Sequence, residues 1–306
     1  MNNKTIRIGT RDSELALWQA HTVEKKLNDL GYATQVVPIK STGDLILDKP
    51  LYEFGITGIF TKTLDAAMIS GQIDIAVHSM KDVPTALPKG IVQCAVLERE
   101  NPTDILVFTK MPNFTDELTV ATGSLRRQAQ WLNRYPHHNV VDLRGNINTR
   151  LKKLEENHWG GAVFASAGLD RLGIKPENHI VLDWMISAPA QGAMVVVAMQ
   201  HDDFCRDAVS KLNHNQTDVC TFVEREFLKT LEGGCTAPIG ALATVIDNEI
   251  RFEGILCSLD GKEKIHVERT APLHKGRDSF GQKCAIEVLE NGGYAIMEKI
   301  KNDLKK

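Results

Sequence analysis

TKTLDAAMISGQIDIAVHSMKDVP, residues 61–84, carries the grammar of the fold. Thr61 to Ser70 reads as a helix, Gly71 as its close, and Ile73 to Val77 as a buried strand that opens directly into the polar run His78-Ser79-Met80-Lys81-Asp82-Val83-Pro84. A helix feeding a buried strand is half of a parallel α/β unit. Upstream, Ile6, Arg7 and Ile8 alternate as a strand does. Asp12 and Ser13 follow as cap candidates, then Ala16, Ala20, Val23, Leu27 and Leu30 at helical spacing, ending at Gly31. Gln35 to Ile39 predicts the next strand, leading through a turn at Thr42-Gly43-Asp44 and a loop around Gly55 and Gly58.

Downstream the pattern restarts after Asn101-Pro102. Strands are predicted at Ile105 to Phe108, Leu118 to Thr122, Val140 to Leu143 and Ala162 to Ala165, with helices starting at Leu125 and Ile147. This is a second α/β lobe. The apolar run Met194 to Met199 predicts a strand returning the chain to the first lobe, which makes Glu100-Asn101-Pro102 and Ser187-Ala188-Pro189 paired hinge segments. After Asn215 the grammar changes to a helix from Val219 to Leu231, hairpins near Asp247-Asn248 and Asp260-Gly261, and a final helix from Phe280 to Leu304. Adjacent strands there predict a separate α+β domain.

With 306 residues the chain exceeds a single small core, and 42% hydrophobic with 25% charged residues is ordinary for a globular protein. The longest nearly apolar stretch, Ile186 to Met199, is interrupted by Ser187, Pro189, Gln191 and Gly192 and is shorter than the roughly 20 residues that cross a bilayer. No membrane partner is expected. The charged amino terminus, with Lys4, Arg7, Arg11, Asp12 and Glu14, is unlike a signal peptide, so a cytoplasmic location is expected. Six scattered cysteines without a CxxC pair signal neither a metal site nor a disulfide framework.

The formal net charge is −3, yet seven basic residues and one acid, Asp142, lie between Arg126 and Lys153. That contrast suggests an anionic ligand held locally rather than nucleic acid. Two strand-to-helix junctions concentrate it: Thr122-Gly123-Ser124-Leu125-Arg126-Arg127, and Leu143-Arg144-Gly145-Asn146-Ile147-Asn148-Thr149-Arg150. Arginines in a first helical turn oppose the helix dipole by about 0.3 to 1 kcal/mol each, so an anion between them and the free backbone N–H groups explains their placement better than a solvated helix face. Arginine also binds carboxylate through two parallel hydrogen bonds. Lys81 and Asp82 sit where an open sheet binds ligands, beyond the carboxyl end of a strand, although a solvated loop ending in a turn-forming Pro has the same composition. Glu232-Gly233-Gly234-Cys235-Thr236-Ala237-Pro238 presents a thiol between two glycines and a Pro; alone, such a cysteine is more often structural than reactive.

Together these segments resemble the porphobilinogen deaminase (hydroxymethylbilane synthase) family. The likeness runs through RIGTRDSELALWQA, STGDLILDKPL, DIAVHSMKDVP, GSLRRQAQ, LRGNINTRL, AGLDRLG, PAQGA and EGGCTAPIG in the family's order, from Ile6 to beyond Gly240. It implies two α/β lobes built like anion-binding proteins with a cleft between them, and a smaller α+β C-terminal domain. The boundaries expected here are 1–99 with 190–213, 100–189, and 214–306. It also implies a transferase that condenses four porphobilinogen molecules head to tail, releasing ammonia each time, on a dipyrromethane cofactor covalently held by Cys235. By the same resemblance Asp82 is the catalytic carboxylate with Lys81 beside it, and Ser124, Arg126, Arg127, Lys81 and Gly145 contact the cofactor. Arg11, Ser13, Gln19, Arg144 and Arg150 serve the substrate and growing chain, and a monomer is expected. The chain departs from the family pattern at Glu14, where many relatives have Pro, and at Ile56-Thr57, where many carry Gly-Lys; a lid without a charged grip is expected there. A non-enzymatic two-lobed anion receptor is the competing class. It gives Cys235 and the third domain no task.

Overall fold

The computed structural model describes residues 4–40, 61–231 and 237–303. The expected turn at Thr42-Gly43-Asp44, the expected lid at Glu53 to Gly58 and the Cys235 loop lie outside the described residues. The described chain divides into two compact units: 4–40, 61–100 and 192–218 form one, and 101–191, 219–231 and 237–303 the other.

The first unit is built on β1 (Ile6–Arg11), α1 (Glu14–Asp29), β2 (Thr34–Ile39), α2 (Lys62–Ile69), β3 (Ile75–Ser79), β4 (Ile91–Val96) and, after a long excursion of the chain, β10 (Met194–Met199) and α6 (Asp203–Ser210). Its sheet runs β2-β1-β3-β10-β4. The first three strands are parallel, as the helix-strand alternation requires, whereas β10 lies antiparallel to both β3 and β4. Ile6, Ile8, Ile75, Val77 and Val196 are buried with Ala20, Val23 and Leu27 of α1, the residues whose 3.6 spacing marked that helix.

The second unit holds β5 (Asp104–Val107), β6 (Thr119–Ala121), α3 (Leu125–Arg134), β7 (Asn139–Val141), α4 (Ile147–Glu156), β8 (Gly161–Ala165), α5 (Ser166–Arg171) and β9 (His179–Val181). These strands pair in the order β7-β6-β8-β5-β9, with β6, β7 and β8 parallel and β5 antiparallel to its neighbours. The same unit carries a three-stranded antiparallel sheet, β11 (Ile239–Ile246), β12 (Glu249–Cys257) and β13 (Lys264–Pro272), with α7 (Asn215–Thr230), α8 (Phe280–Val288) and α9 (Tyr294–Asp303). Val223 and Phe227 of α7 pack with Ile250 and Phe252 of β12 and with Ala285 and Val288 of α8, a core separate from the larger sheet's.

The chain is thus a mixed α/β protein with two sheet-containing lobes and a smaller C-terminal sheet domain. Two element readings change. The expected single helix from Phe280 to Leu304 is two helices, because the backbone leaves helical geometry at Asn291 and Gly292. The helix expected from Val219 begins at Asn215 and crosses from one compact unit into the other. Among the described residues no helix is long and apolar enough to cross a membrane.

Candidate active site

In the first unit β1 and β3 are parallel neighbours, with Gly9 opposite Ala76, so their carboxyl ends share one edge of the sheet. There the chain leaves β1 through Arg11 and Ser13, and leaves β3 through a single 3₁₀ turn, Met80–Asp82. The turn is fixed on both sides: Met80 N–H donates to the Ala193 carbonyl at 3.0 Å, where β10 begins, and Val83 N–H closes on the Met80 carbonyl at 3.2 Å. Met80 is buried, while Lys81 and Asp82 are half-buried. The Asp82 carboxylate makes no hydrogen bond or ion pair among the described residues. Ser13 stands at the amino end of α1 without using its hydroxyl to cap the helix. Gln19, buried on α1, donates from Nε2 to Ser79 Oγ at 2.8 Å and so braces the residue before the turn. His78 is buried one residue earlier. Burial, with Arg11 nearby adding to it, pulls its pKa down to about 4, so the imidazole is neutral near pH 7.

In the second unit β6 and β7 are parallel, which brings the two arginine-bearing junctions side by side. Gly123 explains how closely: a Cβ there would lie 2.7 Å from the Leu143 carbonyl oxygen and 3.1 Å from an Asp142 carboxylate oxygen. Ser124 caps α3 by accepting from Arg127 N–H, and Asn146 caps α4 by accepting from Thr149 N–H at 2.9 Å. The loop between β7 and α4 is held from its own helix, with Arg150 Nε donating to the Gly145 carbonyl at 2.7 Å and Lys153 Nζ to the Arg144 carbonyl at 3.2 Å.

Arg126 and Arg127 do not lie on a solvated face. Both are buried, and both meet the carboxylate of Asp104, which is fully buried at the start of β5. Arg127 donates from Nε and Nη2 to Asp104 Oδ1 at 3.1 and 2.8 Å, and from Nη1 to the Val163 carbonyl at 2.9 Å. Arg126 approaches Asp104 Oδ2 at 2.7 Å and donates from Nη1 to the Ile186 carbonyl at 2.7 Å. Gln191 adds a third donor to Asp104 at 2.9 Å. Burial pulls the Arg126 guanidinium below the usual arginine value; Asp104 opposes the shift and Arg127 adds to it. One carboxylate against two guanidinium groups leaves a net positive charge out of water.

Apart from Asp104 Oδ2, which meets Arg126 as an ion pair, three buried polar atoms of this unit have no hydrogen-bond partner among the described residues: Arg126 Nε, Arg144 Nη1 and Ser187 Oγ. Buried donors are rarely left so, and each orphan costs about 1 to 3 kcal/mol unless something external satisfies it. Two guanidinium nitrogens and a hydroxyl suit carboxylate oxygens. A carboxylate-bearing cofactor therefore fits the residues present.

The expected site residues fall into two sets. Arg11, Ser13, Gln19, Lys81 and Asp82 share one sheet edge of the first unit, and Ser124, Arg126, Arg127, Arg144, Gly145 and Arg150 share one of the second. Cys235 lies outside the described residues. Asp104, Gln191 and Ser187 are not among the residues expected in the site: Ser187 reads as a hinge residue and Gln191 as part of PAQGA, and a lone Asp in Asn-Pro-Thr-Asp-Ile-Leu shows nothing of an arginine 23 positions on.

Comparison with known proteins gives two family matches: residues 6–207 match the model described as porphobilinogen deaminase, dipyromethane cofactor binding domain, and residues 219–290 match the porphobilinogen deaminase C-terminal domain. Curated relatives named porphobilinogen deaminase include that of Pelotomaculum thermopropionicum, 42% identical over 98% of both chains. That of Pelobacter propionicus is 39% identical, again over 98% of both. Among solved structures, the methionine binding protein MetQ covers 69% of this chain and 90% of its own at 14% identity and a TM-score of 0.46.

Proposed function

Since the chain belongs to the porphobilinogen deaminase family, we propose that the two sheet edges described above divide its work into anion holding and proton chemistry. The activity is hydroxymethylbilane synthesis in tetrapyrrole biosynthesis, a transferase reaction on porphobilinogen that uses a dipyrromethane cofactor. When bound, the cofactor supplies the pyrrole carbon to which the first substrate ring is joined.

On our reading Arg126, Arg144 and Ser187 hold carboxylates of that group, which is supported by their three orphaned buried atoms. This observation carries the proposal. Ser124, Arg127 and Gly145 shape the same junctions, and Arg127 acts chiefly by fixing Asp104. Arg11, Ser13, Gln19 and Arg150 serve the substrate side, where each added ring brings further carboxylates. Asp82 is the catalytic carboxylate. Loss of ammonia from the aminomethyl group leaves a cationic pyrrole, and a carboxylate with no partner among the described residues is available to stabilise that cation and take up the ring proton. Lys81, next in sequence, is the candidate for delivering a proton to the departing amine.

Cys235 is the proposed attachment point. Its support includes the state of other thiols. Cys205 and Cys257 are pushed up to about 12 by burial, and Cys94 and Cys284 to about 11, which keeps them from acting as thiolates. We further place the protein in the cytoplasm as a monomer without nucleic-acid or membrane partners, with lobes at 1–99 with 190–213 and 100–189 and a C-terminal domain at 214–306.

The functional test is ammonia release from porphobilinogen together with mass identification of the released tetrapyrrole. Four ammonia molecules per hydroxymethylbilane are expected. Tight binding of porphobilinogen without ammonia release would favour the anion-receptor class instead.

A further inference from the structure

We infer that Glu253, His266 and Glu268 form a surface site for a divalent transition-metal cation of the zinc class on the face of the C-terminal sheet that is turned away from its own helical core. The three residues sit on regular strands. Glu253 of β12 and Glu268 of β13 are register partners, and His266 lies two residues before Glu268, so all three project from one face. The opposite face is core, with Phe252 and Val267 buried on it, which anchors both strands.

His266 Nε2 lies 2.9 Å from Glu253 Oε1 and 3.9 Å from Glu268 Oε1, and the three donor atoms are all within 4.8 Å of one another. A cation bonded to one imidazole nitrogen and two carboxylate oxygens at about 2.0 to 2.2 Å needs only small side-chain adjustments from such a triangle. Like charges directly opposite across a strand pair repel, yet Glu253 and Glu268 are opposed with an imidazole as their one close counter-group among the described residues. Arg251 lines the same depression and makes no ion pair there among the described residues. One nitrogen with two oxygens suits zinc, cobalt or nickel; magnesium and calcium favour oxygen alone. The site is partly to well exposed, so its remaining coordination positions are open to water.

The probe is Co²⁺, titrated into the full-length holoenzyme and then displaced by Zn²⁺. The expected result is saturable 1:1 binding with weak visible absorption and no thiolate charge-transfer band, weakened at least about tenfold in His266→Gln and in Glu268→Gln, with porphobilinogen turnover unchanged. A thiolate band, or equal affinity in wild type and variants, would overturn the site. A second measurement needs no variant: Zn²⁺ should protect the His266-containing peptide of the wild-type protein from diethylpyrocarbonate, and full modification in its presence would also overturn the inference.

Discussion

Asp82 and Arg127 carry opposite charges and are treated oppositely by the fold. Asp82 ends a turn that is pinned at Met80, and its carboxylate has no partner among the described residues. A group left unpaired at the end of a rigid strand is available to a cation that exists only while the reaction proceeds, so its charge matters most in the transition state. Asp82→Asn should keep the cofactor, seen by intact mass, while turnover falls by about 10² to 10⁴-fold or more. Asp82→Glu should retain a residual rate, and Lys81→Gln separates the neighbouring amine's contribution. Ammonia release by Asp82→Asn at the wild-type rate would make the carboxylate structural. Arg127 spends three bonds inside its own lobe, so Arg127→Leu strands part of the Asp104 charge and should lower stability by about 3 kcal/mol in urea titration. Arg126→Leu instead should purify largely without cofactor. Equal stability of the Arg127 variant and wild type would contradict this division. His78 adds a pH dependence: its folded pKa of about 4 lies below the unfolded value, so the unfolded chain takes up a proton that the folded chain refuses. Its contribution is complete above about pH 6.5 and is lost as the pH falls to about 4, amounting to roughly 3 kcal/mol. His138 shifts the same way, so His78→Gln should flatten part of the acid limb of a urea-midpoint profile. An unchanged profile would remove His78 from the account.

At the scale of elements, periodicity revealed the helices and parallel strands, because apolar spacing follows directly from what each element buries. It did not reveal that β10 runs antiparallel, since a uniformly apolar strand carries no sign of direction. The junctions carrying Arg126 and Arg144 stood out in the sequence by charge alone, which is why an anion site is expected there. That the arginines would be buried around Asp104 was not legible, because that pairing depends on β5 lying beside β8. The segment 186–191 is another long-range product. Ile186 bonds Gln130 in both directions, the Ser187 carbonyl accepts from Ala241, and Ala190 N–H donates to buried Glu224 at 2.6 Å. Ala190 is held at φ 61°, a left-handed conformation that costs a residue with a Cβ about 1 to 2 kcal/mol. Ala190→Gly removes that strain and gives back about 0.5 to 1 kcal/mol of unfolded-state entropy, so a net gain of up to about 1 kcal/mol is expected from thermal melts. A lower melting temperature would show that the strain is absent. Gly261 tests the packing of α3 on the C-terminal sheet, because a Cβ there would lie 2.4 Å from the Ala129 carbonyl oxygen, and the Gly261 carbonyl accepts from Asn133 at 2.7 Å. Gly261→Ala should cost about 1 to 3 kcal/mol, read as a lower urea midpoint. A neutral result would mean that this contact is not made in solution.

For the whole molecule, the family assignment and the physical reading converge on one requirement: the protein must carry a resident polyanionic group. The orphaned atoms of Arg126, Arg144 and Ser187 lack partners among the described residues, and a lobe with two guanidinium groups on one carboxylate is incompletely neutralised without an anion. An anion receptor would satisfy those atoms reversibly, whereas a deaminase would hold its anion through a covalent bond. The intact mass of the purified wild-type chain, measured beside Cys235→Ser, separates these cases most directly. The account predicts that the wild type is heavier than its sequence by a two-pyrrole adduct and that Cys235→Ser has the plain sequence mass. A catalytically active wild type at the plain sequence mass, or an adduct retained by Cys235→Ser, would contradict it.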